Sequence, residues 1–242
     1  MSLNAKKVPQ NPDAAPKHRQ SPIEPGSYPA RIVQIIDLGV QNQRPFRNEP
    51  KPPVHQITVT YELVDEFCYD DEGKILEDKP RWLSEDFPFY SLQAERAKST
   101  KRYLAIDPED KYDGDFTKLL GQPCMVTVTK RDGTGQHEGK TFNNVGDVST
   151  MRAKQQESCP ALVNDPKLFV MDEPDLEVFR SLPDWLQEKL KDNLNYEGSA
   201  LQAAFSGKSQ EPQFSEDEAA PENPPEVGTK QAGKTSTDEV EW

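Results

Sequence analysis

Residues 54–64 read VHQITVTYELV, and the alternation in this stretch decides the fold class. Val54, Gln56, Thr58, Thr60 and Glu62 fall on one side at a period of two, and His55, Ile57, Val59, Tyr61 and Leu63 on the other. β-branched and aromatic residues dominate, so the segment is an amphipathic strand with the second set facing the core. His55 sits on the apolar side, where a partly buried structural histidine is expected.

Upstream, GSYPARIVQIIDLGV (26–40) is also a strand, apolar on both faces near its middle. The long loop QNQRPFRNEPKPP (41–53) joins the two. Downstream, DDEGK (70–74) is a turn. It precedes a third strand within ILEDKPRWLSEDFPF, centred on Arg81–Phe87. SLQAERAKSTKRYLAI (91–106) reads as a helix capped by Ser91, with Pro108 beyond its end and Arg96, Lys98, Lys101 and Arg102 toward solvent. Two further strands follow in GQPCMVTVTKRDGTGQHEGKTFNNVGDVST, joined by a Gly-rich loop read as a flexible hairpin. The order strand, strand, strand, helix, strand, strand is that of the five-stranded OB-fold barrel, which binds oligonucleotides.

A helical stretch comes after the strands. In it Ser181 or Asp184 serves as cap, Pro183 lies near the first turn, and Trp185, Leu186, Lys189, Leu190 and Leu194 form a stripe. The expected organisation is a flexible arm over 1–24, an OB domain over 25–155, a helical extension over 156–205 covering the barrel or a partner subunit, and a disordered acidic tail over 206–242.

Charge divides the 242 residues unevenly. The net charge is −13, and Ser206–Trp242 alone hold nine acids against three bases. Met1–Thr60, in contrast, hold eight bases against four acids, so the bulk balance does not exclude an anion-binding face. Cys68, Cys124 and Cys159 are widely spaced and only three histidines accompany them, which argues against zinc. No apolar run approaches 18 residues and the first residues lack a signal-peptide core. The expectation is a cytoplasmic chain without metal, cofactor or membrane span. Phosphate-binding, dinucleotide, nucleophile-elbow and zinc-protease motifs are all missing, so no enzyme class is expected.

The candidate binding residues are bases near aromatic rings. In loop 41–53, Arg44, Arg47 and Lys51 surround Phe46, a pattern suited to single-stranded nucleic acid, where cations meet phosphates and a ring stacks on a base. Arg31, Arg81, Trp82, Lys130, Arg131 and Lys140 complete the expected contact set.

The segments GSYPARIVQIIDLG, TVTYELVDEF, RAKSTKRYLAIDP, DFTKLLGQPCMVTV, FNNVGDVSTMRA and LPDWLQEKLKDNLNYEGSAL resemble a family of tailed-phage proteins taken to be single-stranded DNA-binding proteins of the OB fold. The resemblance covers about residues 22–205. The final DEVEW resembles the acidic, aromatic-ended tail of replicative single-stranded DNA-binding proteins, although GTKQAGKTST dilutes the acids before it. The resemblance implies coating of single-stranded DNA in the cytoplasm of an infected bacterium. It also implies that Asp238, Glu239, Glu241 and Trp242 contact a phage polymerase, helicase–primase or recombination protein. A monomer and a homodimer both remain open. The rival reading is an adaptor that binds or inhibits a host protein through the tail and last helix.

Overall fold

The computed structural model describes residues 20–207. Its centre is a long strand β1 (Gly26–Gln41), flanked by β2 (Val54–Tyr69) and β4 (Pro123–Asp132). β3 (Ile75–Pro88) extends the sheet beyond β2, and β5 (Thr141–Ser149) extends it beyond β4, giving the antiparallel order β3-β2-β1-β4-β5. The result is an open, curled half-barrel. β1 and β2 each run 16 residues, long for globular strands, and they bend at irregularities in register. β1 shifts against β2 between Ile32 and Gln34 and again between Asp37 and Val40. Gly39 sits inside the second shift with φ +66°, and a Cβ there would lie 3.0 Å from the Asn193 side chain. Both the backbone angle and the space call for glycine.

The concave side holds the main core. Ile32, Ile57, Val59, Tyr61, Leu63, Leu83, Phe87, Val126 and Val128 pack there with Tyr103 of α1 (Lys98–Ile106) and with Phe116. Phe116 meets both Tyr103 and Phe89, with ring centroids 5.3 and 5.2 Å apart. Cys124 lies in this core, and burial pushes its thiol up to about 12, which keeps it protonated and inert.

A second core lies on the other face of β1. Ile36 and Leu38 pack against Phe169, Met171, Phe179, Leu182, Leu186, Leu190 and Leu201. These come from β6 (Lys167–Phe169) and the helices α3 (Leu176–Ser181), α4 (Asp184–Lys191) and α5 (Ala200–Ser206), which follow the short α2 (Ala153–Ser158). β6 pairs in parallel with Gln34–Ile36, just past Gly26–Arg31, where β1 pairs with β4. One strand thus serves two cores.

Several sequence expectations change here. The helix expected from Ser91 begins at Lys98; residues 91–97 form turns, and Ala97, the N-cap position, makes no side-chain cap bond. Arg102 does not face solvent, because buried Glu85 of β3 draws it inward: Arg102 Nε donates to Glu85 Oε1 at 2.8 Å. Neither Ser181 nor Asp184 caps α4; Pro183 holds the N-cap position without a side-chain bond. Trp185 and Leu194 are exposed, because only Leu186 and Leu190 of the expected stripe face β1. α4 ends at Lys191, and the Leu194 amide donates to the Val40 carbonyl instead.

On the polar side of β2, expected toward solvent, Thr58, Thr60 and Glu62 are also buried. Thr58 hydroxyl donates to Asp86, Thr60 and Ser84 share a hydrogen bond, and Glu62 accepts from Trp82 Nε1, the Val163 amide and Asn164 Nδ2. Each group is satisfied from a neighbouring strand or from the segment 160–170, so the face tolerates its cover.

Among the described residues, β3 and β5 approach each other without pairing. Arg102 spans this seam. It donates to Glu85 on β3 through Nε and Nη2, and through Nη1 to Asp147 on β5 at 2.7 Å. Lys98 and the Tyr61 hydroxyl also reach Glu85, at 2.6 and 2.9 Å.

Candidate nucleic-acid interface

The antiparallel register sets the ends of the sheet. Loop 42–53 leaves one end of β1, whereas the β2–β3 turn and the β4–β5 hairpin gather at the other. The expected binding residues divide accordingly.

At the first end the loop folds into a small hairpin of its own. Phe46 and Glu49 exchange two backbone hydrogen bonds, each 3.0 Å, across Arg47 and Asn48, whose φ angles are 52° and 65°. Two left-handed residues in succession make the tight reversal that suits strand twist. Gln43 Nε2 donates to the Pro52 carbonyl at 2.7 Å and closes the neck. This geometry lifts Phe46 outward, 57% exposed, with the Arg47 guanidinium 5.2 Å and the Lys51 ammonium 5.0 Å from its ring centroid. Arg44 is exposed on the same loop. A ring held out of the core beside two cations, with a third on the same loop, can stack on a base while the cations meet phosphates.

At the far end, Lys130, Arg131 and Lys140 flank the β4–β5 hairpin and are exposed. Lys130 pairs with Glu24 at 2.6 Å, a surface contact of little energetic weight. The Gly-rich loop, expected to be a flexible hairpin, is wound and internally bonded. Gly133 N donates to the Lys140 carbonyl at 2.6 Å, and a short 3-10 turn spans Gly135–His137. A Cβ on Gly133 would stand 2.1 Å from the His137 carbonyl oxygen, so only glycine lets the chain close there.

Three expected residues have other partners. Arg31 donates to the carbonyls of Pro160, Gly121 and Cys159 at 2.6 to 2.9 Å and ties the segment after α2 to the sheet. Arg81 donates to the Ser21 carbonyl and lines a pocket with Asp70, Asp71 and Glu72, surroundings that repel phosphate. Trp82 gives its N–H to Glu62 and remains partly exposed. The structure therefore brings together Arg44, Phe46, Arg47 and Lys51 at one end, and Lys130, Arg131 and Lys140 at the other. Asp238, Glu239, Glu241 and Trp242 lie outside the described residues.

Two residues beside the hairpin cations escaped the contact set. His137 and Phe142 meet edge to face, with centroids 5.7 Å apart. Neither lies next to a run of bases, and only the winding of the loop joins them.

His55, near the first end, pairs with Asp37 at 2.5 Å and packs edge-on against Phe89. The Asp37 hydrogen bond raises the His55 imidazole above its ordinary value and outweighs burial. Burial alone would raise Asp37, but the bonds from His55 and the Gly39 amide hold it below the usual carboxylate value. The raised histidine contributes stability fully below about pH 6.5, and this is lost as pH rises through its folded-state value. The lowered aspartate contributes above about pH 4, and this is lost as pH falls through its own folded-state value. The pair is thus strongest between about pH 4 and 6.5, where it contributes about 1 kcal/mol. Urea unfolding across pH 3.5–9 should show His55→Ala losing most stability inside that window; a loss uniform across the range would contradict the pairing.

Among the described residues there is no group of three or more metal-ligating side chains, and no helix is long and apolar enough to cross a membrane. No family model matches the chain, and no curated protein matches it.

Proposed function

We propose that this chain binds single-stranded DNA without strong sequence preference and protects it during phage DNA replication or recombination, in the cytoplasm of the infected bacterium. It acts as a binding protein and not as an enzyme. The half-barrel supports an OB-fold reading: β1 is shared between β2 and β4, α1 lies between β3 and β4, and the open seam falls between β3 and β5. In that fold the loops at the two ends of the strand 2–3 face hold oligonucleotides. The observation that carries the proposal is the exposed Phe46 ring, raised on its own hairpin between Arg47 and Lys51. The acidic tail would recruit a polymerase, helicase–primase or recombination protein through Asp238, Glu239, Glu241 and Trp242.

Fluorescence anisotropy of a labelled thymine oligonucleotide across a salt series tests the reading. Tight binding at low salt is expected, with affinity falling at a logarithmic slope of about −0.7 per phosphate contact. No binding at the lowest salt, with or without the residues after Gly207, would sink it.

A second reading, an adaptor for a host protein, draws on the exposed Trp185, Leu194 and Phe205 of the helical region. It predicts a stable complex with a protein partner that survives removal of DNA by nuclease.

A further inference from the structure

The wound loop between β4 and β5 borders a half-open cleft of about 300 Å³, lined by Arg131, Asp132, Gly133, Thr134, His137 and Phe142. Hydrogen bonds hold its walls: His137 N donates to the Thr134 carbonyl, Glu138 N to Gly135, Lys140 N to His137 and Gly133 N to Lys140. A volume at the lower end of the ligand-pocket range suits one planar ring. The lining matches such an occupant. His137 and Phe142 meet edge to face at 78° and give the cleft an aromatic wall against which a planar base can pack. Arg131 can meet the phosphate of the same nucleotide. Asp132 already accepts from the Thr141 hydroxyl at 3.2 Å through Oδ1, and a carboxylate has lone pairs to accept more.

We propose that this pocket receives one unstacked base of the bound strand and favours a base carrying an exocyclic amine, such as cytosine, over thymine. This rests on the single-stranded DNA reading. An exocyclic amine at the end of the pairing edge donates to the Asp132 carboxylate, whereas the one donor on that edge of thymine, N3–H, lies between two carbonyl oxygens that a negative group repels. The bias is superimposed on contacts that ignore sequence, as is usual for single-strand binders.

Competition anisotropy with the full-length protein, using cytosine and thymine oligonucleotides of equal length at pH 8, tests the pocket. Cytosine is expected to bind roughly fivefold tighter or more. Asp132→Asn should remove that ratio, His137→Ala should weaken both oligonucleotides, and Lys140→Ala should weaken both while leaving the ratio intact. Thermal unfolding of each variant close to that of the parent shows that the loop change has not spread to the sheet. Equal binding of the two oligonucleotides by the parent protein, or a ratio unchanged in Asp132→Asn, would overturn the pocket while leaving the DNA reading in place. Binding of neither would overturn both.

Discussion

Replacing Arg102 with alanine is expected to lower the unfolding free energy by about 3 kcal/mol, because the Glu85 carboxylate loses its buried counter-ion and keeps only Lys98, at the surface, and the Tyr61 hydroxyl. Arg102 and Glu85 side chains are each only 6% exposed, and Arg102 supplies two of the bonds that Glu85 accepts. Its bond to Asp147 adds little, since that carboxylate is mostly in solvent. Domains of this size are stable by only about 5–15 kcal/mol, so the single change removes a large part of the total. Urea unfolding measures it. Removing both charges together, as Arg102→Met with Glu85→Leu, should recover part of the loss, because two apolar chains of similar volume leave no buried unpaired ion, while the buried Tyr61 hydroxyl loses its acceptor. A double variant as unstable as the single one would mean that the seam between β3 and β5 needs the ion pair itself.

The second large effect belongs to Phe46. Phe46→Ala is expected to weaken binding of a thymine oligonucleotide by about 1–3 kcal/mol, or roughly fivefold to more than a hundredfold. The salt slope should stay unchanged, since no phosphate contact is lost. Arg47→Ala should behave in the opposite manner, with a smaller loss and a slope reduced by about 0.7. Unfolding of Phe46→Ala should match the parent, because the ring is exposed and the hairpin beneath it is held by backbone bonds. If the variant binds as tightly as the parent, Phe46 does not stack on DNA. The two readouts separate stacking from charge on one loop.

The strands were legible because their signal is local. The alternation of Ile57, Val59, Tyr61 and Leu63 needs only period two to assign the buried side, and the structure places all four in the main core. The burial of Glu62 was not legible in that way. Its partners Val163 and Asn164 lie 101 and 102 residues further along the chain, and nothing near Glu62 announces them. Arg102 misleads for a related reason: it stands in a basic run that resembles a solvent face, and only Glu85 across the fold gives it a buried partner. At the candidate interface, the grouping of Arg44, Phe46, Arg47 and Lys51 follows from sequence proximity. The pairing of His137 with Phe142 depends on how Gly133 lets the loop close, which composition records only as glycine content.

The dual role of β1 also governs how the chain can be made. This strand is synthesised before all of its partners, which arrive in three instalments, at residues 54–63, 123–128 and 167–169. At ordinary rates of translation, the interval between Gln41 and Phe169 lasts on the order of ten seconds. Through that time Ile32, Ile35, Ile36 and Leu38 belong to a strand whose two cores are incomplete. Such non-local pairing makes folding slow and leaves a sticky nascent segment on the ribosome. A demand for chaperones during synthesis is therefore the expected cellular consequence of building two cores on one strand.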